Sequence, residues 1–180
     1  MVDLKEKVFE STNLYEGKII NLRIDKVELP DGQKSSREIV ENSEAIAVIP
    51  YQQEKVILIN QYRSAIKDEL IEIPAGKIEL NEKPIEAARR ELEEETGYKA
   101  GNFKKIGDFY TSPGFTTEII HLYLATDLSQ YSQKQDAEEF IEIKEFTIKE
   151  LRKLVKEKKL KDLKTFMASY YLLNYLDADE

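Results

Sequence analysis

Three glutamates crowd one side of the helix written between Leu70 and Tyr98, and nothing else in the chain constrains its fold and chemistry as tightly. Pro84 suits a first helical position, because its φ is already helical and its missing N–H is not needed there. Ile85, Ala88 and Leu92 then recur at helical spacing, and Gly97 supplies a left-handed stop. Glu91, Glu94 and Glu95 stand at i, i+3 and i+4, which sets their carboxylates side by side near the negative end of the helix dipole. Such a cluster repels itself and needs a counter-charge. Arg90, four residues before Glu94, is one candidate and a divalent cation is the other. The donors are hard oxygens, and the chain has no Cys and one His, so Mg²⁺ or Mn²⁺ is expected rather than zinc. The bland reading, an ordinary solvated acidic face, competes until spacing is considered.

The spacing decides between them. Gly76 is followed after five residues by Glu82, and after seven more by Arg90-Glu91-Leu92-Glu93-Glu94-Glu95-Thr96-Gly97-Tyr98. This resembles the signature of the Nudix hydrolases, G-x5-E-x7-R-E-U-x-E-E-x-G-U with U apolar. Every fixed position is filled; Tyr98 departs only in being aromatic where an aliphatic residue is usual.

The chain has 180 residues, 41% hydrophobic and 34% charged, enough for one domain with a proper core and a small accessory unit. Its net charge of −8, from 27 basic and 35 acidic residues, disfavours nonspecific binding to nucleic acid or to an anionic membrane. No apolar run is long enough to span a bilayer, and Met1–Lys7 lacks the apolar core of a signal peptide, so a cytoplasmic location is expected. Without Cys there is neither a disulfide framework nor a thiol nucleophile. His121 lies in an apolar run and reads as a strand residue rather than a catalyst.

In chain order, residues 8–29 read as two strands, a turn follows at Pro30-Asp31-Gly32, and Ser36–Asn42 reads as a third. So small an antiparallel sheet packs on the rest of the fold or on a second subunit, or simply extends one sheet. Residues 44–50 and 55–63 are continuous apolar runs joined by Tyr51–Glu54, a hairpin of strands buried on both faces. Arg63, at the end of that hairpin, is either a surface charge or a phosphate clamp. After the signature helix come strands over Asn102–Tyr110 and Ile119–Ala125, with a rigid turn from Thr111 to Glu118 between them. A polar loop is expected over 126–139, a strand over Phe140–Phe146, a helix opened by the Thr147/Glu150 capping box, and a last helix from near Asp162. Leu163, Phe166, Met167, Tyr170, Leu173 and Tyr175 form its expected packing face.

A second set of motifs is similar to the ADP-ribose pyrophosphatase subfamily: Ser112–Glu118, with Pro113 sixteen residues beyond Gly97, together with Gln61-Tyr62-Arg63, Glu72–Lys77 and Arg37-Glu38. The similarity runs from about Arg37 to Lys164. The departure is Glu41-Asn-Ser-Glu-Ala45, where relatives carry His-Pro-Gly.

The resemblance implies an α+β (α/β/α sandwich) Nudix fold, with a mixed sheet between helices and a small N-terminal antiparallel sheet. It implies an N-terminal domain over residues 1–42 that dimerises and helps enclose substrate, and a catalytic domain over 43–180. Metal ligation is implied for Glu91, Glu95, Glu94 and the Ala75 carbonyl, with Mg²⁺ as cofactor and Mn²⁺ as alternative. Arg90 joins the catalytic set by orienting those carboxylates, a more structural than chemical part, and Glu82 supports the loop. The base belongs to an acidic loop, where Glu139 and Glu138 are both candidates and Asp136 is third. Substrate contacts are implied for Arg63, Arg37, Glu72, Pro113, Gly114 and Glu118. The implied reaction is hydrolysis of ADP-ribose to AMP and ribose 5-phosphate by a homodimer. The alternatives are hydrolysis of another nucleoside diphosphate sugar such as GDP-mannose, and a noncatalytic ADP-ribose sensor.

Overall fold

A computed structural model of the chain describes residues 3–131 and 140–178. They fall into two compact units, Met1–Glu44 with Phe109–Ile120, and Ala45–Asp108 with His121–Glu180.

The first unit is built on a three-stranded antiparallel sheet, β1 (Lys7–Glu16), β2 (Ile20–Glu28) and β3 (Lys34–Asn42), in that order. Gly32, with φ of 84°, turns β2 into β3 and donates its N–H to the Leu29 carbonyl at 2.8 Å. Asp25 is buried at 5% exposure; the Ser11 hydroxyl donates to it at 2.7 Å and Arg23 Nε at 3.0 Å. The Ser11 hydrogen bond, with Arg23 beside it, holds the Asp25 carboxyl below the usual carboxylate range. The turn from Ser112 to Glu118 is pinned to β3: Val40 N–H donates to the Phe115 carbonyl at 2.7 Å and Thr117 N–H to the Val40 carbonyl at 3.0 Å.

The second unit carries a seven-stranded mixed sheet. Its main path runs β10 (Ile141–Thr147), β5 (Lys55–Arg63), β4 (Ala45–Gln52), β9 (Ile119–Gln130), β8 (Tyr98–Tyr110), with β6 (Asp68–Glu72) paired to β5 and β7 (Ala75–Lys77) to β4. The β4–β5 hairpin turns on Gln53 and Glu54, with φ of 50° and 60°, the left-handed pair that matches strand twist. Strand alternation divides the core. Ile46, Val48, Ile57, Tyr123 and Ala125 face helix α1 (Pro84–Thr96) and its buried Ala87, Ala88 and Leu92. The alternate residues Ala47, Ile49, Leu58, Leu122 and Leu124 are also buried, on the side of α2 (Ile148–Lys156) and α3 (Leu163–Ala178).

Three local expectations change. The strand expected from Asn102 begins at Tyr98, directly after the Gly97 stop. Thr126–Gln130, expected as loop, continues β9 because Leu128 is buried against α1 and its N–H donates to the Gln52 side-chain oxygen. On α3 the buried stripe is Thr165, Ala168, Ser169, Leu172 and Leu173, while Leu163 and Tyr170 are exposed. Small side chains there let the helix axis lie close to what it covers, which hydrophobicity alone does not signal.

Candidate active site

Helix α1 starts where Pro84 places it. Lys83, the preceding residue, offers no side-chain acceptor, so the cap is one-sided: Glu86 accepts the Lys83 N–H at 3.2 Å. At the other end Gly97 takes φ of 71° and donates its N–H to the Glu93 carbonyl at 2.9 Å.

Between these ends, Arg90 gathers the acidic groups. Its Nε and Nη2 donate to the two oxygens of Glu82, each at 3.0 Å. Nη1 donates to Glu91 at 2.8 Å and to Glu94 at 3.1 Å, and Nη2 also donates to the Lys77 carbonyl at 3.0 Å. All five N–H bonds of the guanidinium are therefore used. Glu82 is the largest cause of the rise in the Arg90 pKa, and Arg90 in return holds the Glu82 carboxyl below its ordinary value. Glu82 also accepts the Glu79 N–H at 3.0 Å, which ties the loop before the helix to the helix itself.

Glu95 lies on the same face at 4% exposure and accepts the Ala75 N–H at 2.9 Å. Ala75 and Gly76 pair with Ala47 and Ile46 of β4, so the turn from Pro74 to Gly76 is fixed by the sheet. Gly76 leaves the space the Glu91 carboxylate occupies: a Cβ there would run into that carboxylate and displace it. The Ala75–Gly76 backbone and the Glu91, Glu94 and Glu95 carboxylates thus form one patch of hard oxygen donors. Among the described residues no three acidic or imidazole side chains already converge on one point, since Glu91 and Glu94 are drawn onto Arg90 and Glu95 onto Ala75. By donor chemistry, and by the cradle that Gly76 leaves for Glu91, the patch fits a hard divalent cation.

Arg63 and Glu72 meet as a fork: Nε donates to one carboxylate oxygen at 2.7 Å and Nη2 to the other at 2.8 Å. Glu72 is 1% exposed, whereas the Arg63 side chain is 41% exposed. Burial pushes the Glu72 carboxyl up, but Arg63 and Lys164 outweigh it and hold the group below its ordinary value. The Lys164 ammonium grips the Glu72 carboxylate and lies 3.1 Å from Asp162. Asp162 also accepts the Thr165 N–H at 2.9 Å, and Thr165 Oγ1 accepts the Ile73 N–H at 2.8 Å. Asp162, Lys164 and Thr165 were not among the expected site residues. The Asp-x-x-Thr cap is readable, but a contact across 92 residues is not.

The remaining expected residues belong to the first unit or lie outside the described residues. Pro113 and Gly114 are exposed in the Ser112 turn, and Glu118 accepts the Thr111 hydroxyl at 2.8 Å. Arg37 is engaged within its own unit, by Glu6, by the Ser35 hydroxyl at 3.0 Å and by the Ser36 carbonyl at 2.9 Å. Glu138, Glu139 and Asp136 lie outside the described residues.

Comparison with known proteins places the sequence in a family. The NUDIX domain family matches residues 41–170, and the nucleoside diphosphate sugar hydrolase N-terminal domain matches residues 6–40. The chain is 45% identical to an ADP-ribose pyrophosphatase of Bacillus subtilis (strain 168), over 96% of this chain and 95% of that one. It is 43% identical to a methanol dehydrogenase activator of Bacillus methanolicus, over 93% and 92% respectively. A crystal structure of an ADP compounds hydrolase superposes with a TM-score of 0.88 over 97% of this chain and 96% of that one, at 20% identity, which speaks to the fold. The family model spans the helix that carries Glu91, Glu94 and Glu95 and most of the chain besides, and the chain belongs to the Nudix family.

Proposed function

We propose that this chain hydrolyses the pyrophosphate bond of ADP-ribose, giving AMP and ribose 5-phosphate, with Mg²⁺ as its metal and Mn²⁺ as a substitute. The observation that carries the reading is the patch of Glu91, Glu94, Glu95 and the Ala75–Gly76 backbone, held in place by the saturated Arg90 guanidinium. Nudix hydrolases generally use divalent metal ions. Ala75 through its carbonyl, Glu91, Glu94 and Glu95 would hold the metal. When bound there, it neutralises charge on the pyrophosphate and lowers the pKa of water.

The chain's own residues do the rest. Arg90 keeps Glu91 and Glu94 on one side of the helix and anchors them to Glu82. Arg63 offers the N–H groups not used by Glu72 to a phosphate, and Glu72, being buried, acts on substrate through Arg63. Glu139, with Glu138 and then Asp136 as alternatives, takes the proton from the attacking water. One water is consumed, one P–O bond of the anhydride breaks, and the charge on the leaving phosphate is matched by cations. Arg37, Pro113, Gly114 and Glu118 contribute the remaining substrate contacts.

The N-terminal unit makes the active form a homodimer in this reading. Val8, Phe9, Leu14 and Tyr15 on β1 are each at least half exposed, an apolar surface that a lone three-stranded sheet leaves uncovered. The reading is tested with a panel of nucleoside diphosphate sugars and Mg²⁺. ADP-ribose is expected to have the highest kcat/KM. A preference for GDP-mannose would overturn the substrate assignment, and ADP-ribose binding without AMP release would make the chain a sensor.

A further inference from the structure

Glu72 is served by two cations where its burial requires one. The Arg63 fork already satisfies both of its oxygens, at 2.7 and 2.8 Å, and a buried carboxylate paired in this way is compensated. Yet Lys164, whose side chain is only 13% exposed, is also taken out of water to grip the same carboxylate. Desolvating a second ammonium is costly, and Asp162 as well as Glu72 lies against it to offset that cost.

Position supplies the reason. The Arg63 side chain is 41% exposed and is held through Glu72. Lys164 grips the same carboxylate oxygen that accepts from Arg63 Nη2. Asp162 holds Lys164 in turn: its Oδ2 lies 3.1 Å from the Lys164 Nζ and also accepts the Thr165 N–H and hydroxyl at the start of α3. The same short segment fixes position, because Thr165 Oγ1 accepts the Ile73 N–H next to Glu72.

We infer that Lys164 is a positioning residue for Arg63: by sharing the Glu72 carboxylate it fixes that group and so holds the guanidinium in one pose for a substrate phosphate. The inference rests on the proposed function, in which Arg63 binds phosphate. Lys164 itself, on the buried side of Glu72, makes no contact with substrate in this scheme.

The test is a double-mutant cycle on the full chain with ADP-ribose and Mg²⁺, using Arg63→Met, Lys164→Met and the pair, with the melting temperature of each recorded. Lys164→Met is expected to raise KM by about 10-fold with kcat changed much less. Lys164→Arg should recover most of that loss, and Lys164→Met should cost nothing further in the Arg63→Met background. A KM effect of equal size in both backgrounds, or a folded Lys164→Met with wild-type KM, overturns the inference. Should Lys164→Met not fold, Lys164→Gln takes its place in the cycle, since it loosens the hold on Glu72 without setting an apolar group beside the buried carboxylate: a raised KM that vanishes in the Arg63→Met background supports the inference, and a wild-type KM overturns it. A wild-type chain that releases no AMP refutes the proposed function instead. The cycle is then read in calorimetric affinity for inorganic pyrophosphate, where coupling of Arg63 and Lys164 supports the inference and additivity overturns it.

Discussion

Gly76 and the Glu91 carboxylate share a space that admits no further carbon: a side chain on residue 76 would collide with the oxygens of residue 91. Gly76→Ala should therefore push Glu91 off the patch while sparing the fold, because the obstructing atoms end a flexible side chain. The expected result is a fall of about 10- to 100-fold in kcat/KM with about 1 kcal/mol or less lost in stability. Steady-state kinetics and urea unfolding of the same preparation check it.

Glu95→Gln keeps an oxygen to accept the Ala75 N–H, so the local backbone should hold. What it removes is a negative donor from the proposed cation site. Turnover should drop by about 10²- to 10³-fold, and circular dichroism should be unchanged. Near-normal turnover would refute a metal-binding part for Glu95.

Arg90→Met leaves Glu82, Glu91 and Glu94 without their common partner, and should cost about 2 kcal/mol in stability along with most of the activity. Arg90→Lys should recover less than half of either, since an ammonium cannot span two Glu82 oxygens, two further carboxylates and the Lys77 carbonyl at once. Thermal melts of the two variants side by side discriminate charge from geometry.

Glu72 and Glu82 both titrate below their ordinary value of 4.5 in the folded chain. A depressed carboxyl contributes stability that is fully present above the unfolded pKa and is lost as pH falls through the folded one. Unfolding free energy should thus hold steady as pH falls to about 5 and decline below 4.5. Glu82→Gln should flatten that decline, and denaturant midpoints measured between about pH 3 and 6 are the readout.

In the proposed mechanism the proton acceptor is Glu139 or Glu138, with Asp136 third. Glu139→Gln is expected to lower kcat by about 10²-fold or more and Glu138→Gln much less. Reversed effects would assign the base to Glu138, and two active variants would remove the loop from the mechanism.

Helix α1 is legible in the sequence because local chemistry writes both of its ends: Pro84 readily begins a helix and Gly97 readily ends one. The partners of Arg90 are legible for the same reason, lying within the helix or in the loop just before it. Thr126–Gln130 is not, since one buried residue, Leu128, is too few to show a period. The buried face of α3 escapes a reading by hydrophobicity because Thr165, Ala168 and Ser169 pack by being small, while the larger Leu163 and Tyr170 stay outside. Lys164 on Glu72 is beyond any local reading, for it depends on how a C-terminal helix meets a strand far back along the chain.

Arg90, with every N–H bond committed to the acidic helix and its loop, acts as a built-in counterion. Ligands that repel one another until a metal arrives oppose folding of the empty site. Here the arginine relieves the repulsion between Glu91 and Glu94 beforehand, so under the proposed function assembly would not wait on loading. Chelation should then abolish the chemistry and leave the melting curve nearly where it was, and the proposed ion would exchange without the molecule unfolding.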